Sequence, residues 1–286
     1  MNIGFIGYGE VGFEMSASMS GLGIENIYTY DPLKVGSSPL LLSDKTKVTF
    51  FDTAEKLVEN NLDILFVAVP ASYAKNSWLQ VINSIQKDTI LVDLTTASAQ
   101  EKIQINEELE KKGLSLIDAA ILGALKVYQH RVPILASGEN VSKFLDLGNK
   151  LDMNIDYLNE NVGDATNFKY VRSIFTKGLS TLLFEVFSTA ENLNIRDEIF
   201  NSINTTMDKD DFSEIVNRYI KSNVPHSKRR ETEIKNVLDF MKANDSASYM
   251  TEGTKRTLEL ITAADLNETL KDDYNWKDVI EKYNNQ

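Results

Sequence analysis

The chain has no cysteine and only two histidines among its 286 residues. Disulfides, thiolate catalysis and cysteine-ligated metals are thereby excluded. His130 and His226 stand far apart in sequence and neither belongs to a carboxylate–histidine spacing, so no metal is expected. Basic charge is also short, with 30 Lys and Arg against 42 Asp and Glu and a net charge of -12. That balance argues against nucleic-acid binding, which needs a basic footprint. Long apolar runs are missing, and none approaches the ~20 residues of a membrane span. The opening "MNIGFIGYGEVGF" has no basic segment ahead of a long apolar stretch. No signal peptide and no membrane partner are expected, and the expected location is cytoplasmic.

What is present is an alternation. "NIGFIGY", "NIYTYD", "KVTFF", "DILFVAVP", "TILVDLTT", "LSLIDAAILG", "VPILASG" and "NIDYL" read as strands. Between them, "VGFEMSASMSGLG", "TAEKLVENN", "AQEKIQINEELEKKG" and "ENVSKFLDLGNKLD" read as helices, and Pro32, Gly36 and Pro39 mark a loop. Apolar strands separated by helices predict a mostly parallel sheet covered on both faces, a Rossmann-type α/β domain. The pattern changes near Gly163. From Asp164 to about Asn194 there is no proline and one internal glycine, Gly178, which predicts a helix of about 30 residues, roughly 45 Å long. Further amphipathic segments follow and none reads as a strand. The expected division is a dinucleotide-binding domain over 1–162 and an all-α domain over 163–286.

The first turn carries chemistry. Gly7, Gly9 and Gly12 in "GYGEVG" match G-x-G-x-x-G between a strand and a helix. In that context the first glycine allows the tight turn, the second lets the backbone approach a pyrophosphate, and the third lets helix and strand pack closely. The helix N-terminus offers N–H groups and a positive dipole end to phosphates. Tyr8, Glu10 and Val11 fall within this turn, and Asp31 closes the second strand where an acid would accept the adenosine ribose hydroxyls. NAD is favoured on that ground, with Lys34 leaving NADP open. Val69, Pro70, Thr95 and Thr96 end two further strands, where ligands of open α/β sheets sit. Val69, Pro70 and Thr95 are read as cofactor wall, with Thr95 or Thr96 near the reacting carbon. In "GDATNFKYVRSIFTKGLS", Lys169, Arg172, Ser173 and Thr176 fall on one helical stripe, while Lys177 falls off it. Such a stripe is either a solvated face or the wall of a site.

These segments resemble the β-hydroxyacid dehydrogenases, which include 3-hydroxyisobutyrate and 6-phosphogluconate dehydrogenases. "GFIGYGEVGFEM" resembles the family's opening motif, "VDLTT" its D-x-S-T segment, "IDAAILGA" its substrate-binding turn, and "GDATNFKYVRS" the motif that holds its catalytic lysine. The resemblance implies Lys169 as the acid/base, in an apolar, cation-flanked setting beside Arg172. It implies substrate contacts from Thr96, Gly123, Ala124, Arg172 and Ser173. Departures fall in the substrate half: Ala120 stands for a proline, Leu122 for a serine, Ala124 for a glycine, and Arg172 and Ser173 for two asparagines. The later run "HSKRRETE" resembles a branch of phosphogluconate-dehydrogenase-like proteins with a distinct C-terminal domain. His226 and Arg230 of that run are candidate substrate residues, with His226 read as standing in a loop.

The expected function is transfer of a hydride between NAD(P) and a small, anionic hydroxy compound. Two alternatives stand beside it: a dinucleotide-binding sensor or assembly protein without catalysis, and an imine reductase of the same fold. A homodimer through the helical domain is also expected.

Overall fold

A computed structural model describes residues 1–20, 22, 24–34, 48–268, 270 and 273–285. Gly21, Gly23, Gly36 and Pro39 of the sequence reading lie outside them. The chain divides into two compact units, Met1–Ser173 and Ile174–Gln286.

The first unit holds β1 (Asn2–Ile6), α1 (Glu10–Met19), β2 (Asn26–Tyr30), β3 (Val48–Phe50), α2 (Ala54–Val58), β4 (Ile64–Val67) and α3 (Ala74–Val81). It continues through β5 (Ile90–Asp93), α4 (Ala99–Glu110), β6 (Leu116–Ile121), α5 (Leu125–Tyr128), β7 (Ile134–Ser137), α6 (Val141–Lys150) and β8 (Ile155–Asn159). The described strands form one sheet in the order β3-β2-β1-β4-β5-β6-β7-β8. Every neighbouring pair is parallel except β6 and β7, which run antiparallel with Ala120 opposite Leu135. A mostly parallel sheet was expected; the reversal comes from the connection 122–133, which returns the chain to the same end of the sheet.

Strand residues alternate between two apolar layers. Ile64 and Phe66 join Ile3, Phe5, Met15 and Phe144 on one side. Leu65 and Val67 join Leu57, Trp78, Ile105 and Leu109 on the other. With both faces covered, each strand reads as a continuous apolar run. The helix α3 was not read from the sequence. Its Trp78 and Val81 are fully buried, but the segment is only eight residues long and flanked by polar groups.

The helix α7 runs Asp164–Asn192, 29 residues, close to its expected length. The boundary between the units falls inside it, not at residue 163, because its first turns are built into the sheet. There the amide of Ala165 donates to Ser137 Oγ at 3.0 Å and that of Thr166 to Asp118 Oδ2 at 2.8 Å.

The second unit is helical throughout its described residues: α8 (Arg196–Met207), α9 (Phe212–Lys221), α10 (Asn223–Ala243), α11 (Tyr249–Ala263) and α12 (Trp276–Asn284) follow the rest of α7. Its N-termini are satisfied in different ways. The Asn275 and Asp278 side chains form a reciprocal capping box on α12. The helix α11 has no cap of its own; the buried carboxylate of Glu185 on α7 accepts from Met250 N at 2.8 Å, Thr251 N at 2.9 Å and Thr251 Oγ1 at 2.6 Å. A carboxylate at that end also meets the positive pole of the helix dipole. We expect Glu185→Ala to cost the full chain about 1–3 kcal/mol, since three donors lose their acceptor. Chemical denaturation followed by circular dichroism checks this, and a loss below about 0.5 kcal/mol would reject the cap as a stabilising contact.

Candidate functional site

The strands β1, β4, β5 and β6 end side by side, and their loops hold most of the residues singled out from sequence. The chain leaves β1 toward β2 on one side, while β4 lies on the other, so this is where the strand order reverses. Open α/β sheets bind ligands at such a switch point.

The glycines of the first turn do three different jobs. Gly7 has φ +95°, and a Cβ there would stand 2.5 Å from the Ala68 carbonyl oxygen. A Cβ on Gly12 would stand 2.4 Å from the Gly7 carbonyl oxygen, so the first turn of α1 seats directly on the loop. A Cβ on Gly9 meets nothing within 4 Å, and Gly9 caps α1 without a side-chain hydrogen bond. Open space above an uncapped helix start is what a phosphate group requires. The residues present therefore fit a dinucleotide.

Asp31 fixes the turn. Its Oδ2 accepts from Tyr8 N at 2.8 Å and its Oδ1 from Leu33 N at 2.9 Å. The Lys34 ammonium donates to Tyr8 O at 2.6 Å and lies 4.9 Å from the centre of the Tyr8 ring. The Tyr8 side chain is buried and its hydroxyl accepts from Ser16 Oγ at 3.1 Å. Tyr8 was a candidate cofactor contact, but its ring belongs to the core. Glu10 is exposed, Val11 and Val69 are half-buried, and Pro70 is exposed after β4.

Thr95 and Thr96 part company. Thr95 is buried, donates its hydroxyl to Asp93 Oδ1 at 2.6 Å, and accepts from Ala97 N at 3.2 Å. Its expected role as a cofactor contact is corrected: its side chain turns inward because Asp93 holds it. Thr96 is exposed, and its carbonyl accepts from the Tyr170 hydroxyl at 3.3 Å. Arg172 Nη1 donates to the Leu122 carbonyl at 3.1 Å. These two bonds bring the turn of α7 that carries Lys169 onto the loops after β5 and β6, where Gly123 and Ala124 are exposed. Lys169 and Ser173 are half-buried. Arg172 was weighed as an anchor or an ion pair; in the structure one of its five donors bonds a backbone carbonyl.

Below these loops lies a charged cluster. The Lys102 ammonium is fully buried, 3.0 Å from Asp93 Oδ1 and 2.7 Å from Asp118 Oδ1, both also fully buried. Trp78 Nε1 donates to Asp93 Oδ2 at 2.8 Å, and Thr166 Oγ1 to Asp118 Oδ1 at 2.8 Å. Burial is the largest influence on Lys102 and disfavours its charge, but the two carboxylates together outweigh it and raise its pKa. That stabilisation is complete at neutral pH and is lost only as pH rises through the folded-state pKa. Sequence reasoning passed over all three charges. The only trace was that Asp93 and Asp118 lie inside "VDLTT" and "IDAAILGA".

His130 holds the connection between β6 and β7 against α1. Its Nδ1 lies 2.8 Å from Ser18 Oγ, and the same hydroxyl accepts from its backbone N–H at 3.2 Å. Its Nε2 is buried without a partner among the described residues. His226, expected in a loop, is exposed on α10, because Pro225 is tolerated in the first helical turn. Arg230 donates from Nη1 to Asn223 and from Nη2 to Ser222 Oγ at 2.9 Å. Both residues belong to the second unit. Among the described residues no cluster of His, Asp and Glu could hold a metal, and no helix is long and apolar enough to cross a membrane.

Two outcomes follow from this geometry. Gly9→Val adds a side chain only to open space, so stability should stay within about 0.5 kcal/mol while NADH affinity falls at least ~10-fold. An unchanged dissociation constant would contradict the cradle. Burial first, then the neighbouring Arg131, depress the His130 pKa below its ordinary 6.5, with Asp152 opposing. The unfolded chain therefore takes up this proton more readily. Stability should hold above about pH 6.5 and fall below it, by up to about 1.4 kcal/mol per pH unit, until the folded pKa is passed. Urea titrations of His130→Gln should show that part of the slope removed, and a retained slope would reject the assignment.

Comparison with known proteins agrees with this reading of the fold. The model of the NAD binding domain of 6-phosphogluconate dehydrogenase matches residues 2–144, and a domain of unknown function, DUF1932, matches residues 190–261. An uncharacterized 28.5 kDa protein of Methanothermus fervidus, from the 7S RNA 5' region, is 29% identical over 270 residues, 91% of this chain and 99% of its own. The conserved protein MTH1747, of unknown function and described as structurally similar to 3-hydroxyacid dehydrogenases, is 24% identical with a TM-score of 0.62, covering 99% of both chains. An imine reductase from Myxococcus stipitatus in complex with NADP+ is 16% identical with a TM-score of 0.75, covering 95% of this chain and 100% of its own. A variant of that enzyme has been solved with NAD+, at 15% identity and a TM-score of 0.77, covering 98% of each chain. With half its length matched, this chain belongs to the family that carries the NAD binding domain of 6-phosphogluconate dehydrogenase.

Proposed function

We propose that the protein is an NAD(P)-dependent oxidoreductase acting on a small, anionic hydroxy compound, with Lys169 as the general acid/base. The observation that carries this reading is the seating of the Lys169 turn on the strand ends, through Tyr170 to Thr96 O and Arg172 to Leu122 O. The bound cofactor would supply the hydride acceptor or donor. Gly9 and the N-terminus of α1 would hold its phosphates, and Asp31 its adenosine ribose. Lys169 would take the hydroxyl proton as the alcohol is oxidised and return it in reverse. Thr96, Gly123 and Ala124 would form the substrate wall, Ser173 would add a hydroxyl, and Arg172 would meet an anionic group.

Asp31 also supports a preference for NAD. A 2'-phosphate beside it would be repelled, and the Lys34 ammonium is already drawn to the Tyr8 carbonyl. A fluorescence titration should therefore find NADH bound more tightly than NADPH, and Asp31→Asn should narrow the ratio at least ~5-fold. The catalytic assignment is read separately: Lys169→Ala should lower turnover about 10²-fold or more and leave NADH affinity within about threefold. Retained turnover would remove Lys169 from the mechanism. Nucleotide binding with no hydride exchange to any acceptor would favour the sensor reading instead.

A second reading, imine reduction, draws on the imine reductase likeness and on Arg172 and Ser173 standing for the two asparagines of the hydroxyacid dehydrogenase motif. A screen that includes cyclic imines separates the two by which substrate class oxidises NAD(P)H.

The working form is a homodimer through the helical unit. Among its described residues this unit buries few large apolar side chains, including Ile215, Val224, Met241, Leu258, Leu266 and Val279. Along α7, Ile174 is 74% exposed and Phe184 78% exposed. A chain segment of that length normally buries a far larger share of its apolar surface. A second copy presents the same apolar helix and completes both cores at once, as an isologous interface does. Light scattering at micromolar concentration should give twice the mass of one chain; a single-chain mass would reject the dimer.

A further inference from the structure

A lysine on a charged helix is ordinarily solvated, yet Lys102, in the second turn of α4, is fully buried between two carboxylates. Stability alone does not account for the arrangement. Buried ion clusters gain little over well-packed apolar residues of the same volume. The cluster also carries two negative charges against one positive, so further donors must balance it.

Those donors are informative. Asp93 accepts from Thr95 N at 2.9 Å and from Thr95 Oγ1. Asp118 accepts from Thr166 N and from Thr166 Oγ1. The first set belongs to the loop after β5 and the second to the first turn of α7; neither lies in the interior of the sheet. One holds the turn that exposes Thr96; the other holds the first turn of α7, one turn before Lys169. Trp78 closes the second oxygen of Asp93.

We propose that Lys102 is a positioning residue: by tying Asp93 to Asp118, it sets the Thr95–Thr96 loop and the Lys169 turn of α7 in one fixed geometry. The inference rests on the reading of Lys169 as the acid/base. Without the ammonium, the two carboxylates repel each other and release the groups they hold. The glycine turn lies on β1 and α1 and does not depend on this cluster, so nucleotide affinity and Lys169 geometry are separable.

The test uses the full chain. The acylation rate of Lys169 by acetic anhydride is followed against pH by peptide mass spectrometry, with exposed Lys177 of the same helix as the internal reference. Three variants are compared: Lys102→Met, Thr166→Val and Thr166→Ser. Lys102→Met should change the Lys169 rate relative to Lys177 by threefold or more and shift the Trp78 emission, with NADH affinity within twofold. Should that variant fail to fold, the threonine pair decides. Thr166→Val keeps the backbone donor and the ion cluster but removes one hydroxyl, and should move the Lys169 rate by about twofold or more. Thr166→Ser should restore it. A Lys169 rate that stays in step with Lys177 in Thr166→Val would overturn the proposal. The underlying reading fails by a different sign: saturating NADH would then leave Lys169 acylation in the unaltered chain as fast as without it.

Discussion

The first unit depends on one buried interaction, the Lys102 ammonium held between Asp93 and Asp118. Two neighbouring parallel strands place carboxylates opposite each other, Asp93 at the end of β5 and Asp118 within β6, and like charges so placed in an apolar interior repel unless a counter-charge lies between them. Lys102 supplies it from α4. The remaining lone pairs are met by donors from Thr95, Trp78 and Thr166. This explains why a long helix starts where α7 does. Its first amides are satisfied by side chains of β6 and β7, so the helix is fixed at its origin by the sheet.

A second constraint acts at the other end of the row of strands. The β1–α1 turn is tight enough to exclude side chains at Gly7 and Gly12, yet open at Gly9. Asp31 makes that geometry rigid by accepting two backbone N–H groups, from Tyr8 and Leu33. The acid assigned to ribose recognition thus also supports the turn that would hold the phosphates. The two constraints are independent in the structure. One prepares a place for a nucleotide, and the other sets a lysine-bearing helix against the neighbouring loops.

Much of this was legible in the sequence, for physical reasons. Strands buried on both faces read as apolar runs, and the glycine turn has a steric signature that survives out of context. The helix α7 was readable because nothing interrupts it for eight turns. What escaped depended on direction. Thr95 and Thr96 are identical letters, and only Asp93 decides which one turns inward. Lys102 sits in "AQEKIQINEELEKK", where a lysine among acids reads as surface. Its burial depends on Asp93 of β5 and Asp118 of β6, which the local pattern does not bring together. The reversal of β7 was hidden for a similar reason, since an apolar strand carries no mark of its direction. His226 was placed in a loop, whereas it lies on α10, with Pro225 in the first turn of that helix.

The helical unit is the less complete half. Glu185 ties α11 to α7, and aromatic pairs such as Phe175 with Phe212 join α7 to α9, yet large apolar side chains remain in the open. The central proposal concerns the sheet unit, where the strand ends and the first turns of α7 would form one nucleotide-dependent site. Hydrogen–deuterium exchange of the full chain, with and without saturating NADH, tests it most directly. The account predicts slowed exchange in the Gly7–Phe13 turn and in residues 67–71, together with the segment around Lys169. Protection elsewhere, with the glycine turn unchanged, would contradict it.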